Sequence, residues 1–324
     1  MKAIECTKYG PPEVLEMKEV EKPTPKDKEV LIKIKATTAN GADARIRGAV
    51  FPSIFNFPVR LAMGLKGPRK KILGVELAGI IEVTGKQVTH FKTGDEIFAS
   101  TGASFGAYAE YICLPENAVM ATKPTNMTFE EAAAVPHCAL AALYYLRKGK
   151  VKKGHKVLIY GAAGGIGTFA MQLAKTMGAE VSGVCSTSGI DLVKSLGADQ
   201  VIDYTRENLI QGTGKYDVIF DTVGKGPIAE CVHALKEKGR YLSAVHLELS
   251  RIIEDIKITR KSGKKVIGGV AKYTTENLND LKELIEAGQL KTVIDKSYSL
   301  EQIVAAHAYV DTGHKKGHVV IRVG

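Results

Sequence analysis

The stretch Ala162-Ala163-Gly164-Gly165-Ile166-Gly167 separates an apolar run, Val157-Leu158-Ile159-Tyr160, from a segment with Phe169, Ala170, Leu173, Ala174 and Met177 on one helical face. A strand, a glycine turn and a helix in that order form a site for the pyrophosphate of a dinucleotide. Gly164 lets the backbone come close to the phosphates, and Gly167 lets helix and strand pack closely. The helix N-terminus brings unpaired N–H groups. Ala163, Gly164, Gly165 and Ile166 are therefore candidate cofactor-binding residues. Ala162 replaces the first glycine of the G-x-G-x-x-G pattern, which alone would also fit a glycine-rich turn in another α/β protein. The flanking strand and helix favour the dinucleotide.

The next strand-like run, Glu180 to Cys185, leads into Ser186-Thr187-Ser188-Gly189. A site selective for NADH places an acid about 20 residues after the glycines to accept from the ribose 2′-hydroxyl. No carboxylate stands at the end of this run, and Asp191 comes later. The hydroxyls of Ser186, Thr187 and Ser188 can instead donate to a 2′-phosphate, which favours NADPH. NADH stays open because the cluster holds no arginine and Lys194 lies on the following helical run. The same hydroxyls could cap that helix.

A parallel sheet would position these groups. Strand patterns at 156–160, 180–185, 200–203, 216–221, 239–244 and 266–269 alternate with helical runs near 165–177, 189–196, 227–237 and 276–287. That alternation predicts an α/β fold with a doubly wound parallel sheet. Residues 1 to about 125 are β-rich and punctuated by glycine and proline, as in a partly open barrel. Within them, residues 50 to 71 carry Phe51, Phe55, Phe57, Leu61, Met63 and Leu65 among prolines and glycines, a loop that could wall a pocket or pack on the core. After about 270 come one helix, a helical pattern over Leu300 to Val310, and a last strand, His318 to Val323, expected to return to the N-terminal part.

With 324 residues the chain exceeds one typical domain, and its 45% hydrophobic and 25% charged content fits an ordinary globular core. The net charge of +10 suits an anionic ligand. The densest basic clusters, Lys148 to Lys153 and Arg260 to Lys265, lack the interleaved aromatics of a single-strand binder and read as solvated surface, so no nucleic acid is expected. The scattered set Cys6, Cys113, Cys138, Cys185 and Cys231 suits buried thiols in a reducing compartment. The first residues lack the apolar core of a signal peptide. The longest apolar run, Ala132 to Leu146, holds Pro136 and His137 and is too short for a membrane span. These features predict a cytoplasmic protein without a transmembrane segment.

Further motifs run the length of the chain: Ala39-Asn40-Gly41-Ala42-Asp43 with Arg47-Gly48, Leu73 to Gly79, Lys92-Thr93-Gly94-Asp95, Gly106 to Tyr111, Gln172 to Lys175, Leu196 to Asp199 and Asp203-Tyr204. With the glycine turn, they make the chain similar to the medium-chain dehydrogenase/reductase superfamily, and more closely to its zinc-independent quinone oxidoreductase branch. The resemblance implies a GroES-like catalytic domain, residues 1–125 and 270–324, split around a Rossmann domain, residues 126–269, with the cofactor in the cleft. Homodimers are common in the superfamily, and the sequence neither supports nor excludes one.

The resemblance also bears on zinc. The position of a zinc-ligating histidine in metal-dependent relatives is Val75 here, in Gly74-Val75-Glu76. The segment Asn40 to Asp43 offers no thiol, and the closely spaced four-cysteine lobe of those relatives is missing. The usual three protein ligands cannot be assembled there. His314 and His318 are four apart, but Gly317 and the valines that follow read as turn and strand rather than as a helical metal pair. Without a Lewis acid, simple alcohol oxidation is disfavoured. Hydride transfer from NADPH to an already electrophilic quinone or α,β-unsaturated carbonyl, such as an alkenal, fits best. The alternatives are a zinc-free alcohol or carbonyl oxidoreductase and, from another class, a dinucleotide fold that binds nucleic acid or a membrane surface.

The family also supplies expected roles. Asn40 would sit near the nicotinamide and donate to substrate or ribose, although an asparagine turn before Gly41 explains it as well. Tyr204 would lie beside the 2′-phosphate, and Ser188 stands where relatives often have a basic residue. Val223 and Gly224 would line the path to the nicotinamide, with Ser243 and Ala244 close to that ring. Ala141 stands where relatives often have a threonine, which removes one cofactor hydrogen bond. Tyr111 is expected in the core.

Overall fold

The structure is a computed structural model that describes residues 1–50, 60–61, 63–206, 213–224, 226–244 and 263–324. Phe51, Phe55 and Phe57 of the expected apolar wall lie outside the described residues, as do Arg260 and Lys261.

The N-terminal part is built on antiparallel pairing. β1 (Lys2–Cys6) pairs with β2 (Leu15–Glu19), and β3 (Glu29–Ala39) is the spine of a seven-stranded sheet. α1 (Gly41–Arg47) leaves the end of β3. β4 (Glu76–Thr84) and β6 (Tyr111–Pro115) pair with β3, while β5 (Glu96–Ser100) and β7 (Val119–Thr122) extend the sheet beyond β4. Its core holds Ile32, Ile34, Leu77, Ile97 and Tyr108. Tyr111 corrects the expectation of core packing. It is only half-buried, with Lys22 Nζ 3.8 Å above its ring, and Tyr108 is the tyrosine that the core takes up.

Pro136 breaks the long apolar run into α2 (Phe129–Ala133), opened by a Thr128–Glu131 capping box, and α3 (Cys138–Lys148). Among the described residues no helix is long and apolar enough to cross a membrane. Then follow β8 (Lys156–Tyr160), α4 (Gly165–Thr176), β9 (Glu180–Cys185), α5 (Ile190–Ser195), β10 (Gln200–Asp203), β11 (Tyr216–Asp221), α6 (Ile228–Ala234), β12 (Leu235–Ser243) and β13 (Lys265–Ile267). They form a parallel sheet in the order β10-β9-β8-β11-β12-β13. Both faces are covered. Val157 and Ile159 join the core under α3 and α4, while Leu158 joins a separate core with Ile228 and Val232 of α6. The strand order reverses between β8 and β11, so the crevice beyond their carboxyl ends is the expected ligand position.

β12 starts four residues earlier than its pattern predicts. Leu235 is buried opposite Tyr216, and a register shift follows, with Lys238 in the left-handed region (φ 61°). The charged Lys236-Glu237-Lys238 read as helix because its burial is irregular. α7 (Thr275–Glu286), β14 (Ile294–Ser299), α8 (Ile303–Asp311) and β15 (His318–Arg322) complete the chain. β15 pairs antiparallel with β3, so the last strand returns to the N-terminal sheet.

Candidate dinucleotide cleft and the polar cluster beside it

Three of the four glycines at the turn, Gly161, Gly164 and Gly167, answer to different constraints. Gly161 has φ 81°, and a Cβ there would sit 2.3 Å from Val223 Cγ2. Gly167 packs so closely that a Cβ would lie 2.1 Å from the Gly161 carbonyl oxygen. Gly164 is different: its φ is −82°, and an added Cβ would meet only that oxygen, at 3.4 Å. Nothing in the fold demands glycine at 164, so the space beside it is room for a ligand. The first helical N–H with a backbone partner at this turn is Thr168, bonded to the Gly164 carbonyl at 2.9 Å. The N–H groups of Gly165, Ile166 and Gly167 head the helix without such partners, as helix geometry requires.

A cleft of about 440 Å³ opens here. Tyr160, Gly161, Ala163 and Gly164 form one wall, and Cys185, Ser186, Ser188 and Gly189 another, with Tyr204 and Val223 at the edges. Thr312, Gly313, His314, Lys315 and Lys316 close it. The structure thus brings together Ala163, Gly164, Ser186, Ser188, Tyr204 and Val223 as expected. Among the described residues no carboxylate lines this cleft, and two lysines do.

Other expected residues stand elsewhere. Thr187 turns away, its hydroxyl donating to Asp203 Oδ2 at 2.5 Å, because the end of β10 brings a carboxylate that the sequence order had hidden. Arg206 Nε lies 3.7 Å from the same oxygen, so an arginine does stand near the hydroxyl cluster. Gly165 and Ile166 open α4 and do not line the cleft. The N–H of Gly224 donates to Asp221 Oδ1 at 2.8 Å and that of Ala244 to the Asp221 carbonyl at 3.0 Å. Ser243 is buried. These three residues end β11 and β12 or follow them directly, along the edge over which the other half of a dinucleotide would extend.

Residues 312–316 were missed as a cofactor wall. The turn before a strand that returns to the N-terminal sheet has to cross the crevice, and its three basic residues were the available signal. Gly317 donates its N–H to the Ala163 carbonyl at 2.7 Å, which fastens this segment to the glycine turn. Lys315 Nζ donates to the Gly317 carbonyl at 2.6 Å and would lie 3.3 Å from a Cβ on Gly165. It stands beside the helix N-terminus, with its pKa lowered by burial.

Asn40 takes the turn role that its sequence left open. Its Oδ1 accepts from the N–H groups of Ala42 at 2.8 Å and Asp43 at 3.2 Å, capping α1, and its Nδ2 lies 3.4 Å from both Thr38 Oγ1 and Glu76 Oε1. The side chain is 4% exposed and committed to the cap. Val75 is buried, so its neighbour Glu76 serves hydrogen bonds instead: Oε1 accepts from Thr38 Oγ1 at 2.5 Å and Oε2 from the His137 N–H at 2.7 Å. Among the described residues, no group of three His, Cys, Asp or Glu is arranged to hold a metal.

Burial pushes Glu76 up to about 7. Burial, with Glu76 nearby, pushes Asp43 up to about 8. A carboxyl whose folded pKa exceeds its unfolded value holds its proton more tightly when folded. Its contribution is complete below the unfolded pKa and is lost as pH rises toward the folded one. Stability should therefore fall from these groups between about pH 4 and pH 8. Unfolding at pH 5 and pH 8 should show a smaller loss in Asp43→Asn than in the native protein. Equal losses in the two proteins would contradict the assignment.

Two family models match the chain: the alcohol dehydrogenase GroES-like domain over residues 26–124 and the zinc-binding dehydrogenase family over residues 196–321. A 2-methylene-furan-3-one reductase from Solanum lycopersicum is 35% identical over 99% of this chain and 79% of its own length. A chloroplastic NADPH-dependent alkenal/one oxidoreductase from Arabidopsis thaliana is 31% identical with the same coverage. The solved quinone oxidoreductase of Coxiella burnetii superposes with a TM-score of 0.89 at 30% identity, covering 100% of this chain and 99% of its own. The Escherichia coli quinone oxidoreductase solved with NADPH gives 0.84 at 28%, covering 99% and 100%. With its glycine cradle, reversed strand order and GroES-like sheet, the chain belongs to the medium-chain dehydrogenase/reductase superfamily, in its quinone oxidoreductase-like branch.

Proposed function

We propose that this protein is an NADPH-dependent reductase of quinones or α,β-unsaturated carbonyls that works without zinc. The observation that carries the cofactor assignment is the cleft wall, which among the described residues has hydroxyls and lysines around the glycine turn and no carboxylate. Ser186, Ser188, Tyr204 and Lys316 would hold the 2′-phosphate end, and the α4 N-terminus with Lys315 the pyrophosphate. When bound, NADPH supplies the hydride. The chain's own contribution is orientation of donor and acceptor, which in well-aligned systems lowers a barrier by up to roughly 7–11 kcal/mol. Val75 in the place of a zinc-ligating histidine supports an acceptor that is electrophilic on its own. The activities after which the relatives are named, on a 2-methylene-furan-3-one, on alkenals and alkenones and on quinones, support the same class.

The test is oxidation of NADPH and of NADH against a panel of quinones, enones, alkenals and saturated carbonyls, with and without a chelator. Quinones or enones should be reduced, NADPH should be favoured, and the chelator should have no effect. Turnover confined to alcohols or saturated carbonyls would overturn the reading. So would no turnover together with strongly salt-dependent nucleic-acid binding.

A further inference from the structure

His137 occupies a position that the cofactor assignment leaves unused. It directly precedes Cys138, whose Sγ would lie 3.1 Å from a Cβ on Gly165, so the pair stands at the head of the dinucleotide helix. The backbone N–H of His137 is fixed by Glu76. Its ring Nδ1 is 3.3 Å from the Tyr273 hydroxyl, with the two rings at 84° and 5.7 Å between centroids. Nε2 has no hydrogen-bond partner among the described residues, and the residue is half-buried. Burial, together with the positive charge of Arg45, brings the pKa of His137 down to about 4, so the ring is neutral at physiological pH. Arg45 is itself half-buried, and its guanidinium makes no ion pair or hydrogen bond to the described residues.

We propose that His137, oriented by the Tyr273 hydroxyl donating to Nδ1 and flanked by the Arg45 guanidinium, donates its Nε2–H to the carbonyl oxygen of the acceptor. This rests on the reductase reading above. The β-carbon of an enone accepts the hydride with its electron pair, and the C=C π pair shifts to leave an enolate oxygen. A proton from water at the α-carbon then completes the saturated carbonyl, while the cofactor leaves oxidised. On a quinone the same two-electron transfer gives the hydroquinone monoanion, which water protonates. In both cases negative charge gathers on one oxygen. A neutral imidazole N–H with the positive charge of Arg45 nearby stabilises that oxygen without titrating in the working range. This pair would meet the need that a metal meets elsewhere.

The variants are His137→Leu, His137→Gln, which keeps an N–H donor, Tyr273→Phe and Arg45→Met, each checked by thermal unfolding. His137→Leu should lower kcat by about ten- to a hundredfold, toward the lower end of what one oxyanion donor supplies. Its NADPH affinity, read by fluorescence, should stay within about twofold of native, and His137→Gln should recover part of kcat. A second readout needs no turnover: ionisation of p-nitrophenol bound to the NADP⁺ complex, read by its absorption. The native protein should bind it as phenolate, and His137→Leu and Arg45→Met should shift it toward phenol. A folded His137→Leu with native kcat and native phenol ionisation overturns the inference while leaving the reductase reading standing. So does a loss of rate that saturating NADPH fully restores, since that loss lies in cofactor binding rather than in kcat. A native protein that reduces nothing on the panel overturns the reductase reading instead, and the phenol titration then still decides the hydrogen bond.

Discussion

Alanine at Gly167 is expected to cost the protein much of its stability, whereas alanine at Gly164 should leave it folded but poor at binding NADPH. In α4, alanine is intrinsically better than glycine by about 1 kcal/mol, so propensity alone would make Gly167→Ala stabilising. The added Cβ would, however, lie 2.1 Å from the Gly161 carbonyl oxygen and within 2.9 Å of two Ala162 backbone atoms. Backbone cannot rotate away as a flexible side chain can, so α4 has to lift off β8. Overpacking of that kind costs about 3 kcal/mol, and the clash outweighs the propensity. At Gly164 the backbone (φ −82°) is one that alanine adopts, and the nearest atom to a Cβ is 3.4 Å away. The loss there is that of a good N-cap residue, about 1 kcal/mol. The methyl group would fill the space where the pyrophosphate has to approach. Losing one or two charge-assisted hydrogen bonds, each about 1.5–3 kcal/mol, weakens binding roughly ten- to a hundredfold or more. Thermal unfolding and NADPH fluorescence titration of both variants check the contrast. Native affinity in Gly164→Ala would mean that the phosphates do not pass over this turn.

The contrast also marks what the sequence could convey. The parallel strands were legible to the residue at 156–160, 180–185, 200–203 and 216–221 because each is an apolar or alternating run ended by glycine or polar residues. Such patterns are local, and so are helix periodicity and the capping acids of α2. Closure of the fold is not local. Asp203 follows Thr187 by sixteen positions, yet parallel pairing of β10 with β9 sets them side by side, and the hydroxyl is taken from the phosphate site. Residues 312–316 follow the glycine turn by about 150 positions. Only the pairing of β15 with β3, and the bridge between Gly164 and Gly317, carries them to the cleft. Asn40 allowed both a ligand role and a turn role from its type alone. In the fold its Oδ1 caps α1 while its Nδ2 lies beside Glu76, which Thr38 and the His137 backbone hold in place.

Arg47→Met is expected to be the most damaging change outside the glycine turn. Arg47 is 4% exposed and satisfies three acceptors. Nε donates to the Gly10 carbonyl at 3.2 Å, Nη1 to His307 Nδ1 at 3.0 Å and Nη2 to Asp311 Oδ2 at 2.6 Å. Guanidinium only donates, so Nδ1 of His307 has to accept, and the neutral ring keeps its proton on Nε2. Burial and the Arg47 charge hold His307 neutral, with its pKa down at about 3. Nε2 then donates to the Tyr108 hydroxyl at 3.0 Å, and that hydroxyl donates to the Thr38 carbonyl at 3.2 Å, near the end of β3. One cation thus sets the direction of every bond from α8 to the strand that leads into Asn40. Methionine would leave the Gly10 carbonyl and His307 Nδ1 unpaired, and the cost of burying such groups is about 1–3 kcal/mol each. Asp311 is partly exposed and water can satisfy it, so the loss should total about 3 kcal/mol rather than their full sum. Arg47→Lys keeps the charge without the planar fork and should fall between native and methionine. In urea unfolding, the double variant Arg47→Met/His307→Leu should be less destabilised than the two single changes added, because removing both partners leaves no orphaned imidazole. Strict additivity of the two changes, or an Arg47→Met protein within about 0.5 kcal/mol of native, would show that the array does not direct these bonds.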